Sequence, residues 1–232
     1  MHGGGMTTTT PDPTALLTRM TGDEKHLAAA TSTLDVIAVL YDRVLNISPG
    51  TVRDPRRDRF LLSKGHGPMA YYAVLAAKGF LDPTELDDWA SVRSRLGMHP
   101  DRTRVPGVEI SSGSLGHGLP LAVGTALGLR AQGFTGSKVV VLVGDAELDE
   151  GSNGEAIVLA ARFGLDALTT VVIDNSSATY GWPGGIDRRF AVEGWATRTV
   201  DGHDRDALYA AFTEPHPGQP LCVVAVVEPK ES

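Results

Sequence analysis

Three runs of branched apolar residues set the main constraint on how this chain folds. They are Lys138 to Val143, Thr169 to Ile173 and Leu221 to Val227. A short continuous apolar run is typical of a strand that is buried on both faces of a parallel sheet. The stretch between the first two runs, Ser152 to Phe163, has helical spacing. Strand, helix and strand in this order predict a parallel crossover.

Helical periodicity occurs in four parts of the chain. We predict two helices between Leu16 and Leu45, with a break near Thr31 to Thr33, and single helices over Pro68 to Lys78 and Leu119 to Gln132. In the fourth, Ser152 to Phe163, Ser152 and Glu155 are spaced as a capping box. Its predicted buried face comprises Ala156, Leu159, Ala160 and Phe163.

These elements predict an α/β fold, with a parallel β-sheet flanked by helices on both faces. The length of 232 residues and the hydrophobic content of 42% suit a single core. We expect one domain over residues 14–232. Residues 1–13 are rich in glycine, threonine and proline, so we expect them to form a disordered tail.

Composition excludes several classes of protein. The formal net charge of −7 argues against nucleic-acid binding, and the one basic cluster, Arg53 to Arg59, contains Asp54 and Asp58 and is interpreted as a solvated surface. The single cysteine, Cys222, allows neither a disulfide framework nor a cysteine metal cluster. No apolar stretch reaches the length of a membrane span or resembles a signal peptide, so we expect a cytoplasmic protein.

Polar residues follow two of the predicted strands. The first strand ends in Gly144-Asp145 and the second in Asp174-Asn175. Ligands of open parallel sheets bind outside the carboxyl ends of the strands. A carboxylate and an amide oxygen suit Mg²⁺ bridged to a diphosphate, and Gly144 would let that diphosphate approach the backbone. The alternative is that both pairs only form turns after the strands.

The segment from Gly144 to Gly151, with Asn175 thirty positions after Asp145, resembles the thiamine diphosphate fingerprint of transketolases. That fingerprint begins Gly-Asp-Gly and ends in an asparagine, and Ala146 replaces its second glycine. Four further segments match in the family's order. They are His26 to Asp35, Leu62 to Gly67, Met98 to Asp101 and Gly113 to Gly118. In the first of them, Lys25, Ala28 and Ala29 replace family glycines.

The resemblance implies a role for individual residues. It assigns thiamine diphosphate and Mg²⁺ as cofactors, with Ca²⁺ or Mn²⁺ as alternative metals. The implied metal ligands are Asp145, Asn175 and the backbone carbonyl of Ser177. The implied cofactor-binding residues are His66, Gly113, Ser114, Leu115, Gly144, Asp145, Ala146, Glu150 and Asn175. Glu150 matches an acidic residue of the family's hydrogen-bond network at the subunit interface.

Three histidines are implied to be catalytic, namely His26, His66 and His99. A neutral imidazole can donate or accept a proton near neutral pH, which suits phosphate contacts and proton transfer to a sugar. The other histidines that we considered, His117, His203 and His216, lack a motif that favours such a role.

In the family, a glutamate on a pyrimidine-binding domain activates the cofactor. The sequence ends at Ser232, directly after its last apolar run, and the Lys-Gly-x-Gly and Trp-His-Gly segments usual after this strand are not found. We therefore expect a separately encoded C-terminal transketolase subunit to supply that domain, in a heterotetramer of two large and two small subunits.

The expected activity is transfer of a two-carbon ketol unit from a ketose, with or without phosphate, to an aldose. One alternative is a subunit that uses the same cofactor to pass a two-carbon unit to a lipoyl or carrier-protein thiol. Another is a catalytically inactive binding subunit. A nicotinamide-binding fold is disfavoured because no Gly-x-Gly-x-x-Gly follows a strand and opens a helix.

Overall fold

A five-stranded, all-parallel sheet lies at the centre of the computed structural model, which describes residues 11–21 and 24–229 and, for residues 24–29, the backbone only. The strand order is β1-β2-β3-β5-β4, and every neighbouring pair is parallel. The strands are β1 (Arg59–Leu62), β2 (Val139–Gly144), β3 (Leu168–Asp174), β4 (Ala196–Asp201) and β5 (Leu221–Val226). The three strands predicted from apolar runs are confirmed as β2, β3 and β5.

Helices cover both faces of this sheet. On one face are α1 (Pro13–Leu17), α2 (Glu24–Val39), α3 (Pro68–Ala77) and α7 (Arg205–Thr213). On the other face are α4 (Gly118–Ala131), α5 (Gly151–Arg162) and α6 (Ile186–Ala191). The α/β fold with a parallel sheet flanked on both faces is therefore confirmed, and α3 and α4 correspond to predicted helices.

The sheet divides the core into two hydrophobic clusters. Along β2, Val140 and Leu142 face the first cluster, whereas Val139, Val141 and Val143 face the second. Successive side chains of a strand point to opposite faces, so a strand covered on both sides needs apolar residues at every position. This requirement explains why the sequence of β2 does not alternate.

The predicted break near Thr31 to Thr33 is wrong. These residues lie inside α2, where Thr33 is fully buried, and the interruption falls instead between Leu17 and Glu24. Serine and threonine hydroxyls can bond to carbonyls of the preceding helical turn, so such residues do not by themselves end a helix.

The predicted start and buried face of α5 also need correction. Glu150 is the N-cap residue, and the Ser152 hydroxyl donates to the carbonyl oxygen of Gly116 at 2.7 Å instead of capping its own helix. Leu159 and Phe163 are about half exposed, at 47% and 49%. The buried residues are Asn153, Ala156, Ile157 and Ala160, so the buried stripe is rotated from the predicted one.

The interpretation of Arg53 to Arg59 as a solvated surface is wrong for its last residues. Asp58 is buried and accepts from the amides of Asn46 and Lys138, both at 2.8 Å. Arg59 is buried at the start of β1, and Arg57 pairs with Glu109 at 2.6 Å. This short strand begins within a charged segment, whose charges make internal hydrogen bonds. In the part of the chain described, no helix is long and apolar enough to cross a membrane.

A charged cluster joins α2 to the carboxyl ends of β4 and β5. His203 Nδ1 lies 2.9 Å from an Asp35 carboxylate oxygen, and His203 Nε2 lies 3.0 Å from Glu228. Arg205 also donates to Asp35, at 2.7 Å. The hydrogen bonds to Asp35 and Glu228 raise the pKa of His203 above its ordinary value.

This cluster predicts a pH-dependent contribution to stability. A raised pKa in the folded state means that the stabilisation is complete below the unfolded pKa of about 6.5 and is lost as the pH rises through the folded-state pKa. His203→Ala should therefore lower the free energy of unfolding more at about pH 6 than at about pH 9, as measured by urea denaturation.

Glu228→Gln, which removes one of the two carboxylate partners, should show a smaller dependence on pH than the unmodified chain. A loss in His203→Ala that is constant across this pH range would contradict the role of the charged imidazole.

Candidate functional site

Three neighbouring strand ends form one edge of the sheet. In the register, Leu62 of β1 pairs with Leu142, and Gly144 of β2 pairs with Ile173 of β3. Beyond β1, the amides of Ser63 and Lys64 both donate to the carbonyl oxygen of Leu142, at 2.8 and 3.0 Å. The segment after β1 is thereby tied to β2, next to the strand ends that carry the predicted metal ligands.

Asp145 holds the loop that follows β3. Its side chain is 1% exposed. One carboxylate oxygen accepts from the amides of Ser177 and Ala178, at 2.6 and 3.1 Å, and the other accepts from the Ser177 hydroxyl at 2.6 Å. The structure therefore brings Asp145 and Ser177 into direct contact. The lone pairs that remain on the carboxylate are available to a further ligand.

Asn175 carries a buried oxygen without a hydrogen-bond partner. It directly follows β3, one strand away from Asp145, and its Oδ1 is in contact with neither a donor nor solvent. Leaving a buried acceptor unsatisfied is costly, so an oxygen of this kind calls for an explanation. A hard cation would satisfy it.

The donor set at these strand ends fits Mg²⁺ better than a transition metal. The residues described contain no group of three or more His, Cys, Asp or Glu side chains that could hold a metal. A metal at Asp145 and Asn175 would thus rest on one carboxylate, one amide oxygen and a carbonyl. Magnesium accepts such hard oxygen donors and completes its octahedron with phosphate oxygens and water.

Lys64 lies over Gly144. A Cβ atom added at Gly144 would meet the Lys64 side chain at 3.5 to 3.9 Å, and Lys64 itself is buried. Its ammonium group lies 3.4 Å from the carbonyl oxygen of His66. A buried cation beside the glycine at a strand end is suited to an anionic ligand. We gave Lys64 no role from the sequence, because a lysine within a polar turn is usually solvent-exposed.

The loop from Gly113 to Gly118 lies against the segment after β1. Leu115 is about half exposed, and its Cδ2 lies 3.7 Å from the position of a Cβ on Gly65. His66 and Ser114 are both exposed. The predicted cofactor-binding residues of these two segments therefore lie on adjoining loops, with an apolar side chain between them.

His99 joins the same loop at its beginning. Gly113 has φ of +121°, and a Cβ at this position would lie 2.8 Å from the His99 ring. The close approach and the positive φ both require glycine here. His99 is exposed, so its imidazole is accessible to a ligand at the mouth of the loop.

The other predicted site residues differ in how they are placed. His26 lies in α2, but its side chain is outside the described residues. Ala146 is half-buried and begins a turn of 3-10 helix that extends to Asp149. Glu150 is exposed, and its Cβ would lie 2.6 Å from a Cβ on Gly116, where φ is +81°. Glu150 thereby packs on the loop that carries Leu115.

Two acidic residues between Asp145 and Glu150 were not predicted. Glu147 is buried, and its carboxylate accepts hydrogen bonds from Ser63, Gly116 and Gly144. Burial raises the pKa of Glu147, although these hydrogen bonds partly oppose the shift. Asp149 accepts from the amides of Thr179 and Tyr180, at 2.9 and 3.4 Å. Only the acidic character of the motif could have indicated them.

Comparison with known proteins identifies the family. Residues 20–225 match the family model described as the thiamine diphosphate binding domain of transketolase. The chain therefore belongs to the transketolase family, of which it forms the thiamine diphosphate-binding domain.

Individual relatives agree with this assignment. One of the named subunits of apulose-4-phosphate transketolase, from Actinobacillus succinogenes, is 36% identical over 207 residues, which cover 86% of this chain and 75% of that protein. A transketolase mutant from Pichia stipitis superposes with a TM-score of 0.79 at 26% identity, covering 92% of this chain and 36% of that chain. The chain thus spans about a third of the solved transketolase.

Another relative has a different name. Ferredoxin fas2 of Rhodococcoides fascians is 57% identical over 216 residues, covering 93% of this chain and 71% of that protein. Iron–sulfur clusters of ferredoxins are held by several cysteine thiolates. The 232 residues of this chain contain one cysteine, Cys222, which is buried in β5, so they do not provide the ligands of such a cluster.

The contact between Gly118 and Ser63 predicts a strong effect of a single methyl group. A Cβ on Gly118 would overlap Ser63, whereas a Cβ on Gly124 in the same helix would meet nothing within 4 Å. Gly118→Ala should lower the free energy of unfolding by about 1–3 kcal/mol through overpacking. Gly124→Ala, the matched control, should raise it by up to about 1 kcal/mol through helix propensity.

Urea denaturation of both variants checks this prediction. Equal stability of the two alanine variants would show that the loop and the segment after β1 are not packed as closely as described.

Proposed function

We propose that this chain is the thiamine diphosphate- and Mg²⁺-binding subunit of a transketolase. The enzyme would transfer a two-carbon ketol unit from a ketose, with or without phosphate, to an aldose. The observation that carries the proposal is the buried, unpartnered Oδ1 of Asn175 beside Asp145, on adjacent strand ends of a thiamine diphosphate-binding domain. This oxygen and this carboxylate suit a metal that bridges to a diphosphate.

The residues at the three strand ends divide the binding between them. Asp145, Asn175 and the carbonyl of Ser177 would hold Mg²⁺. The bare backbone of Gly144 and the buried ammonium of Lys64 would receive the diphosphate. When bound, thiamine diphosphate supplies a nucleophilic carbon and an electron sink for cleavage of the ketose.

The loop from Gly113 to Gly118 would position the rings of the cofactor. Leu115 offers the exposed apolar contact that a ring needs, and Gly113 and Ser114 leave room for it. The exposed His66 and His99, on neighbouring segments, would donate or accept protons at the sugar hydroxyls and carbonyl. The same role is proposed for His26.

A second polypeptide is part of the proposal. The relative from Actinobacillus succinogenes is named as one subunit of its transketolase, which supports a further polypeptide in that enzyme. We propose that here too a separately encoded protein supplies the pyrimidine-binding domain, in a heterotetramer in the cytoplasm. The same relative is named for a sugar phosphate, which supports a phosphorylated ketose as one substrate class.

Asn175→Ala tests the metal site with little disturbance of the fold, because the Oδ1 that it removes makes no hydrogen bond. We expect the Mg²⁺-dependent affinity for thiamine diphosphate to fall by about tenfold or more. The measurement is isothermal titration calorimetry with and without Mg²⁺, on the chain alone and mixed with its partner.

Thr170→Val is the matched control. Thr170 also lies in β3 and also carries a buried side-chain oxygen without a partner, but it is in the interior of the strand. Its replacement should leave cofactor affinity unchanged. Binding by Asn175→Ala that is as tight and as Mg²⁺-dependent as that of the unmodified chain would count against the metal assignment.

The partner requirement gives a separate prediction. The purified chain should show no ketol transfer from a ketose phosphate to an aldose until the protein with the pyrimidine-binding domain is added. The physical reason is that the partner would supply the glutamate that activates the cofactor, whereas the diphosphate site lies on this chain. Full ketol transfer by the chain alone would exclude a partner in that role.

A further inference from the structure

Glu147 connects three segments that are far apart in sequence. Its Oε1 accepts from the Ser63 hydroxyl and from the amide of Gly116 at 2.9 Å, and its Oε2 lies 3.4 Å from the amide of Gly144. These donors belong to the segment after β1, to the loop before α4 and to the end of β2. One carboxylate, 1% exposed, thus holds together the parts to which the proposed function assigns the cofactor.

Ser63 extends this connection by one further bond. The amide of Gly118 donates to the Ser63 hydroxyl oxygen at 3.0 Å, and the hydroxyl in turn donates to Glu147. The loop before α4 is therefore held at both Gly116 and Gly118. Neither glycine has a side chain that could lock the loop, so its position depends on hydrogen bonds to the backbone.

We propose that Glu147 is a positioning residue that presets the loop from Gly113 to Gly118 and the segment from Ser63 to Gly67 around the strand end at Gly144. The inference rests on the proposed function, because the ligand that the three segments would meet is thiamine diphosphate with Mg²⁺. Glu147 itself is buried behind the loop and touches no reacting group.

The energetic reason is preorganisation. A loop that is ordered before binding does not lose its conformational freedom when the ligand arrives, so the affinity is higher. A buried carboxylate makes stronger hydrogen bonds to amides and hydroxyls than a neutral acceptor does. Glutamine has nearly the same shape but carries two N–H donors on one terminal atom, which would face the amide of Gly116 or of Gly144.

Glu147→Gln is therefore the main test. Two properties of the full chain are measured, with and without its partner. They are hydrogen–deuterium exchange of the peptide that covers residues 113–118, and the calorimetric Kd for thiamine diphosphate at saturating Mg²⁺. We expect faster exchange in this peptide and a Kd raised by about tenfold or more.

Ser63→Ala should reproduce both effects, because it removes the same connection from its other end. In the double variant Ser63→Ala, Glu147→Gln, the two losses of affinity should be less than additive, as expected for groups that act as one unit.

Leu168→Ala controls for a general loss of stability. Leu168 is fully buried at the opposite end of β3, so its truncation destabilises the core without touching the loop. It should lower Tm at least as much as Glu147→Gln and leave both the Kd and the exchange of residues 113–118 unchanged.

The outcomes separate the inference from the proposed function. If Glu147→Gln lowers Tm without changing the Kd or the loop exchange, Glu147 is merely structural and the inference is overturned. The same holds if Leu168→Ala weakens binding to the same extent. If the unmodified chain binds no thiamine diphosphate even with its partner, the proposed function fails, and the role of Glu147 toward that cofactor fails with it.

Discussion

The parallel pairing of β2 with β3 determines where the chemistry of this chain lies. Because Gly144 is in register with Ile173, the residues that follow each strand emerge side by side at one edge of the sheet. Asp145 and Asn175 are thirty positions apart in sequence but lie on neighbouring strand ends for this reason. A shift of the register would separate them, so the apolar side chains that fix the register on both faces also fix the site.

The strand ends alone do not form a binding site, because the surrounding loops are rich in glycine and need external support. That support comes from buried or half-buried carboxylates. Asp145 and Asp149 hold the backbone after β3 through amides between Ser177 and Tyr180, and Glu147 holds the loop before α4. The acidic residues between Gly144 and Gly151 thus bind backbone donors on two sides of the site.

The elements that are apolar throughout could be predicted from the sequence, and those that are not were missed. β2, β3 and β5 are buried on both faces and have uniform apolar sequences, whereas the edge strand β4 alternates between half-buried and exposed residues. β1 is only four residues long and follows a charged segment. The helix boundary near Thr31 was misplaced because hydroxyl residues break helices only when their side chains compete with the backbone.

The same limit applies to the site. Asp145 and Asn175 could be placed together, because the geometry of a parallel sheet relates strand ends without further information. The contacts of Glu147 and Lys64 could not be predicted, since they depend on how a loop folds back over the strand ends. The buried Glu147 is indistinguishable in sequence from the exposed Glu150 three residues later.

The charge of the motif bears on the proposed cofactor. Four of the eight residues from Gly144 to Gly151 are acidic, and the chain as a whole carries a formal charge of −7. A diphosphate approaching this edge would be repelled by the nearby carboxylates, most strongly by Asp145 in its buried, low-dielectric position. A divalent cation between Asp145 and the diphosphate reverses the sign of that interaction, and the ammonium of Lys64 adds to it. On electrostatic grounds, therefore, binding of the diphosphate at this site requires the metal.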